Sequence, residues 1–153
     1  MDQSERILRC LDNDVSILIG SVDAAGEPSC CRALALTSID DLATLTVYVP
    51  EATSRDAIAS LAATRRIAVV ATHPISHYSI QLKGVARDTR IARPDEEPIV
   101  RHGFGGFADV LNTIGVPRRV TKAVTLWPAL AIEVDVQEIY DQTPGPKAGT
   151  RLR

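Results

Sequence analysis

The stretch that decides the fold is "VSILIGSVDAAGEPSCCRALALTS", residues 15–38. Two apolar runs flank "DAAGEP", where Asp23, Gly26 and Pro28 supply turn chemistry. The run 15–22 reads as a buried strand and residues from about Ser29 to Thr37 as its antiparallel partner, so the segment predicts a β-hairpin. Successive strand side chains point to opposite faces, so Cys30 and Cys31 cannot hold one metal ion together and read as wall packing. Arg32 lies mid-strand, on the face assigned to Leu34 and Leu36. A guanidinium there needs an escape to solvent, a carboxylate partner or an anionic ligand, because burying an unpaired charge is costly.

Outward from the hairpin, Ile7, Leu8 and Leu11 recur at helical spacing behind Ser4, predicting a short helix over 4–12. After the "SIDD" turn, "ATLTVYV" (43–49) is a third strand, ended by Pro50. Thr53 or Ser54 then caps a helix running to about Ala63, with Ala57, Ile58, Leu61 and Ala62 on one face. Strands four and five follow at 66–72 and 77–90. "ARPDEEP" is a loop leading into a short helical stretch, and "GFGGF" (103–107) is a flexible lead into a better helix marked by Phe107, Val110, Leu111 and Ile114 and closed by Gly115 and Pro117. Residues 123–140 predict one long strand, bent at Pro128. Six strands joined mostly by turns rather than βα crossovers make a mainly β protein, an antiparallel barrel with flanking helices. One domain spans 1–153, with 141–153 as an extended tail, loose or laid over a neighbouring surface. The prolines and glycines of "QTPGPKAGTRLR" exclude helix and central strand there.

Of the 153 residues, 45% are hydrophobic and 24% charged, and the formal net charge is −2. That leaves no general basic field for nucleic acid. No apolar run approaches the roughly 18 residues of a membrane span. The charged start "MDQSERILRCLDND" has no signal-peptide core, and three cysteines with two adjacent make no disulfide framework. The expectation is a cytoplasmic protein with reduced thiols. His73 and His77 flank Pro74 in a loop and His102 stands alone, so no metal pattern emerges. No G-x-S-x-G is present. Asp40-Asp41 and Glu96-Glu97 read as solvated charge in polar turns, and no residue stands out as a general acid or base. The pattern that remains is anionic recognition. Arg55, Ser54 and the free N–H groups of a helix start make a phosphate site, on which Arg32 could converge. The alternative is Arg32 paired with a carboxylate and Arg55 exposed.

The ordered set of the hairpin with its D-x-x-G-x-P turn, the strand-two arginine, "YVPEATSRD", "RIAVV", "SIQLKGVA" and the long final strand resembles the pyridoxamine 5'-phosphate oxidase-like family of FMN-binding split barrels. The resemblance covers most of the chain. It implies a six-stranded split barrel and a homodimer with FMN in clefts at the subunit interface. By the same resemblance Arg32, Ser54 and Arg55 hold the FMN phosphate, and Tyr48 and Val49 run alongside the flavin. Ser79 and Gln81 approach the ring from the other subunit. The implied function is that of a flavin-dependent oxidoreductase acting on a small molecule. The same fold also accommodates deazaflavin or haem, and a non-catalytic ligand-binding dimer is a further alternative. Asp56 stands where the oxidases carry a second basic residue and Thr37 where they carry lysine. The arginine-bearing carboxyl-terminal substrate motif of the true oxidase is absent.

Overall fold

The computed structural model of the chain describes residues 3–153. The hairpin forms where its sequence places it: β1 (Ser16–Val22) pairs antiparallel with β2 (Pro28–Ala33), Gly20 opposite Cys30 and Leu18 opposite Arg32. Its turn is held by the Asp23 carboxylate, which accepts the N–H groups of Ala25 at 2.8 Å and Glu27 at 2.9 Å. Gly26 takes the positive φ that the turn requires.

The second strand is not continuous to Thr37. At Leu34 the chain leaves β1, and Ala35–Thr37 (β3) pairs instead with β4 (Thr44–Pro50). The Leu34 N–H donates to the Tyr48 carbonyl at 2.7 Å across the switch. The reason is closure: a sheet that wraps on itself needs a strand that changes partners. With β5 (Arg66–Thr72), β6 (Ser79–Ile91), β7 (Ala129–Asp141) and β8 (Thr150–Arg151), the sheet has eight strands, all paired antiparallel. Their order is β2-β1-β5-β6-β7-β4-β3, with β8 on β7. Eight replaces the expected six because of the break at Leu34 and because the tail folds back as β8. Tail residue Leu152 donates its N–H to the Ile139 carbonyl at 2.7 Å, and the Arg153 side chain donates to the Asp41 carbonyl at 2.9 Å. β7 begins at Ala129 rather than 123, since Pro128 has no N–H to give a ladder.

Among the described residues four α-helices accompany the sheet. The first is α1 (Gln3–Leu8), continued by a 3₁₀ turn at Arg9–Leu11, so Ser4 lies inside the helix rather than capping it. Then come α2 (Arg55–Thr64), α3 (Glu97–Thr113) and α4 (Arg118–Lys122). The barrel interior is filled by alternate residues, among them Ile17, Ile19, Val47, Val69, Leu82 and Ile132, with Ala57 and Leu61 of α2 joining them. A second apolar layer lies outside: Val100, Phe104 and Phe107 of α3 cover Leu34, Ala35, Tyr48, Ala129 and Ala131. "GFGGF" belongs to α3 and is not a flexible lead. A Cβ on Gly103 would stand 2.7 Å from the Ala35 Cβ and 2.9 Å from the Leu34 oxygen, and one on Gly106 1.8 Å from the Asn13 oxygen. These two glycines let the helix lie against backbone.

Candidate cofactor site

Arg32 sits on the outer face of β2, while its neighbours Cys31 and Ala33 point into the barrel and are buried. Leu34 and Ala35 both join the α3 layer, so the alternation slips by one at the partner switch. Arg32 therefore shares its side with Leu34, but Leu36 is turned into the barrel. The Arg32 Nη1 donates to the Ser16 Oγ at 3.1 Å, and its guanidinium lies 5.1 Å from the centre of the Phe107 ring. Burial pulls its pKa down, and among the described residues no carboxylate pairs with it. The carboxylate alternative is therefore not what the fold adopts.

At the start of α2, Ser54 is fully buried, and among the described residues its Oγ has no hydrogen-bond partner and caps nothing. Its carbonyl accepts the Ile58 N–H at 2.9 Å. Arg55 is exposed and lines an open hollow of about 640 Å³ with Glu51, Asp56 and Pro128 among its walls. Arg32 is not part of that lining and bonds to neither Ser54 nor Arg55. Asp56 in the first helical turn and Glu51 put two carboxylates beside the single guanidinium there.

Tyr48 and Val49 are both buried, Val49 in the barrel and Tyr48 under α3. The Tyr48 hydroxyl donates to Glu96 Oε1 at 3.1 Å. Glu96 is 4% exposed, not solvated as its polar surroundings in the sequence suggest. Arg90 donates to both its oxygens at 2.8 Å, and the Arg93 N–H to Oε2 at 2.7 Å. Those Arg90 hydrogen bonds hold the Glu96 pKa down at about 2, against the opposing effect of burial. Burial and the Glu96 carboxylate push the Tyr48 pKa up. One sequence signal points to this cluster: Pro94 followed by Glu96 is a helix start whose third residue reaches back to the cap.

Ser79 is buried; its Oγ lies 2.9 Å from the Thr72 Oγ and donates to the His77 carbonyl at 3.1 Å. Gln81 Oε1 accepts from Gln142 Nε2 at 3.2 Å, and the Ser79 N–H donates to Thr143 Oγ1 at 3.1 Å. The tail thus reaches both residues, a contact the sequence does not announce. Register carries the arrangement across the sheet. Arg32, Leu18, Val70, Gln81 and Tyr140 form one cross-strand row, and Ser16, Thr72 and Ser79 the next. Arg32, Gln81 and Ser79 therefore share one outer face, and on it Leu18 is 43% exposed. Beside these rows a groove of about 600 Å³ runs over Gly20, Cys30, Ala68 and Lys83. Cys30 is exposed and Cys31 buried, as opposite-face placement requires, and burial pushes the Cys31 thiol up to about 11. Among the described residues no helix is long and apolar enough to cross a membrane.

No protein-family model matches the chain, and no curated protein matches it in sequence. Solved structures do match in fold. An FMN-binding protein from Syntrophomonas wolfei is 14% identical, with 90% of this chain and 84% of that one covered at a TM-score of 0.56. An F420 reductase is 13% identical, covering 86% and 94% at 0.56. The haem storage protein HutZ from Vibrio cholerae is 11% identical, covering 92% and 95% at 0.52. The fold is the pyridoxamine 5'-phosphate oxidase-like split barrel.

Proposed function

We propose that the chain is a homodimeric FMN-binding oxidoreductase acting on a small molecule, with its cofactor on the outer sheet face that carries Arg32, Gln81 and Ser79. The observation that carries this reading is Arg32, a half-buried guanidinium without a carboxylate partner among the described residues. Such a cation is stabilised by an anion arriving from outside, and a phosphate suits a guanidinium fork. The buried, unpartnered Ser54 Oγ is a second group with hydrogen-bonding capacity to spare. Both fit the phosphate end of a flavin mononucleotide. The names of fold neighbours support the class: one is FMN-binding and another reduces F420.

In this reading Arg32 and Ser54 anchor the phosphate, with Arg55 adding charge from the helix start. Ser79 and Gln81, steadied by Thr143 and Gln142, present polar groups to the ring from the partner subunit. Tyr48 and Val49 border the cofactor through their strand, since both side chains are buried. The bound flavin would supply hydride chemistry at N5; the protein supplies anchoring, orientation and exclusion of water. The exposed Leu18 and the small residues Gly20 and Ala68 offer a surface on which a second copy can close.

Deazaflavin and haem are the alternative occupants, and a dimer that binds without turning over is the alternative role. The absorption spectrum of the protein as isolated, then after separate addition of FMN, F420 and haem, discriminates among them. A yellow protein whose flavin is reduced by a nicotinamide donor is expected. Failure to retain FMN at concentrations on the order of tens of micromolar excludes the flavin reading, and FMN retention without turnover with any reductant favours the non-catalytic role.

A further inference from the structure

Helix α3 contains three glycines within four residues, and each replaces a better helix former at some cost in stability. Close packing accounts for Gly103 and Gly106. It does not account for Gly105, where a Cβ would meet nothing within 4 Å. Gly105 instead opens onto a hollow of about 500 Å³ between α3 and the segment 118–127, a size typical of small-molecule sites. Phe104, Ala108, Leu126 and Trp127 give that hollow an apolar lining. Its charged groups are Arg101, Arg118 and Lys122 against the single carboxylate of Asp109. Arg101 is held by Glu97 at 2.6 Å and Arg118 by Asp109 at 2.8 Å. Lys122 has no ion pair among the described residues.

We infer that the hollow between α3 and α4 is a binding site for a small planar aromatic carboxylate, its ring seated over Gly105 beside Trp127 and its charge met by Lys122. A bare glycine backbone offers a flat, close surface, and the indole offers a stacking partner. The apolar lining takes a ring, and Lys122, left over once Arg101 and Arg118 are paired, takes an anion rather than a neutral or basic ligand. A second copy of the chain suits the hollow less well. In a two-fold contact each copy would bring an unpaired Lys122 and, among the described residues of the hollow, no unpaired carboxylate to answer it. The inference does not depend on any flavin.

Trp127 is the sole tryptophan of the chain, so its emission reports directly on this hollow. The probe is 4-iodobenzoate, whose heavy atom quenches indole fluorescence, with 4-iodobenzyl alcohol as the uncharged control. Saturable quenching by the acid, with the alcohol about tenfold weaker, is the expected result, corresponding to one charge-assisted contact. Lys122→Ala should weaken the acid about tenfold and leave the alcohol unchanged. Gly105→Leu should abolish saturation with the far-ultraviolet circular dichroism kept and the melting temperature no lower than that of the wild type. Gly105→Ala, the milder change, should raise the melting temperature and weaken binding together. Linear, unsaturable quenching of the wild type overturns the proposal, as does equal saturation by wild type and Gly105→Leu. A change of sedimentation coefficient in Gly105→Leu also overturns it, by making the hollow a contact between subunits.

Discussion

At the residue scale, two charged groups buried or half-buried in this chain have opposite standing. Arg32 has a hydroxyl and a ring for company but no counter-ion among the described residues, whereas Glu96 is enclosed by Arg90, Arg93 and Tyr48. Arg32→Ala should therefore leave the fold intact but weaken FMN by about 1.5–3 kcal/mol, roughly tenfold to more than a hundredfold, in a flavin-fluorescence titration. Glu96→Ala should instead strike stability, since it strips a buried carboxylate from its cations. A loss of about 3 kcal/mol in a denaturant titration is expected. The sign of the pH dependence follows from the depressed Glu96 pKa of about 2 against an ordinary 4.5. The stabilisation is complete above the ordinary value and is lost as pH falls from there through about 2. The wild type should lose stability across that window more steeply than Glu96→Gln, as followed by thermal melts at stepped pH. Arg32 is legible in the sequence because an arginine inside an apolar strand demands an explanation. Glu96 is legible only in part: Pro94 and Glu96 mark a helix start at Arg93, but the approach of Tyr48 from β4, which encloses the carboxylate, comes only with the closed sheet.

At the scale of elements, α3 carries the largest difference between sequence and structure. Periodicity finds its second half from Phe107 onward and a short helical stretch before it, but the glycines between hide that the two are one helix, because the use of Gly103 and Gly106 is tertiary. Gly103 and Gly106 trade helix propensity for close approach to the β2–β3 junction and to the loop before β1. Gly106→Ala should overpack that contact and cost about 1–3 kcal/mol. Gly105→Ala, with open space beside it, should gain about 0.5–1 kcal/mol. Opposite shifts in melting temperature for two alanines at adjacent positions are the check. The hairpin, the strands at 43–49 and 66–72 and the helix after Pro50 are all readable, because local pattern and turn chemistry agree in them. The break at Leu34 is not readable, since a strand that changes partners keeps an unbroken apolar sequence.

At the scale of the whole molecule, the outer face of β2, β1, β5 and β6 carries Arg32, Gln81 and Ser79 in neighbouring rows, with Phe107 of α3 reaching it only beside Arg32. The mainly β class and the antiparallel barrel follow from the order of strands and turns. The eighth strand does not, because a two-residue pairing in a proline- and glycine-rich tail leaves no periodic trace. If this face is where two copies meet, the wild type should sediment as twice its 16.5 kDa. Leu18→Glu should shift it toward monomer by placing a carboxylate in the apolar part of the contact. The most direct single test of the flavin assignment is a paired FMN titration of wild type and Arg32→Ala, read by quenching of flavin fluorescence. Saturable binding at or below tens of micromolar, roughly, weakened at least tenfold by the substitution, is the expected result. Equal affinity of the two proteins, or no binding by either, would contradict it.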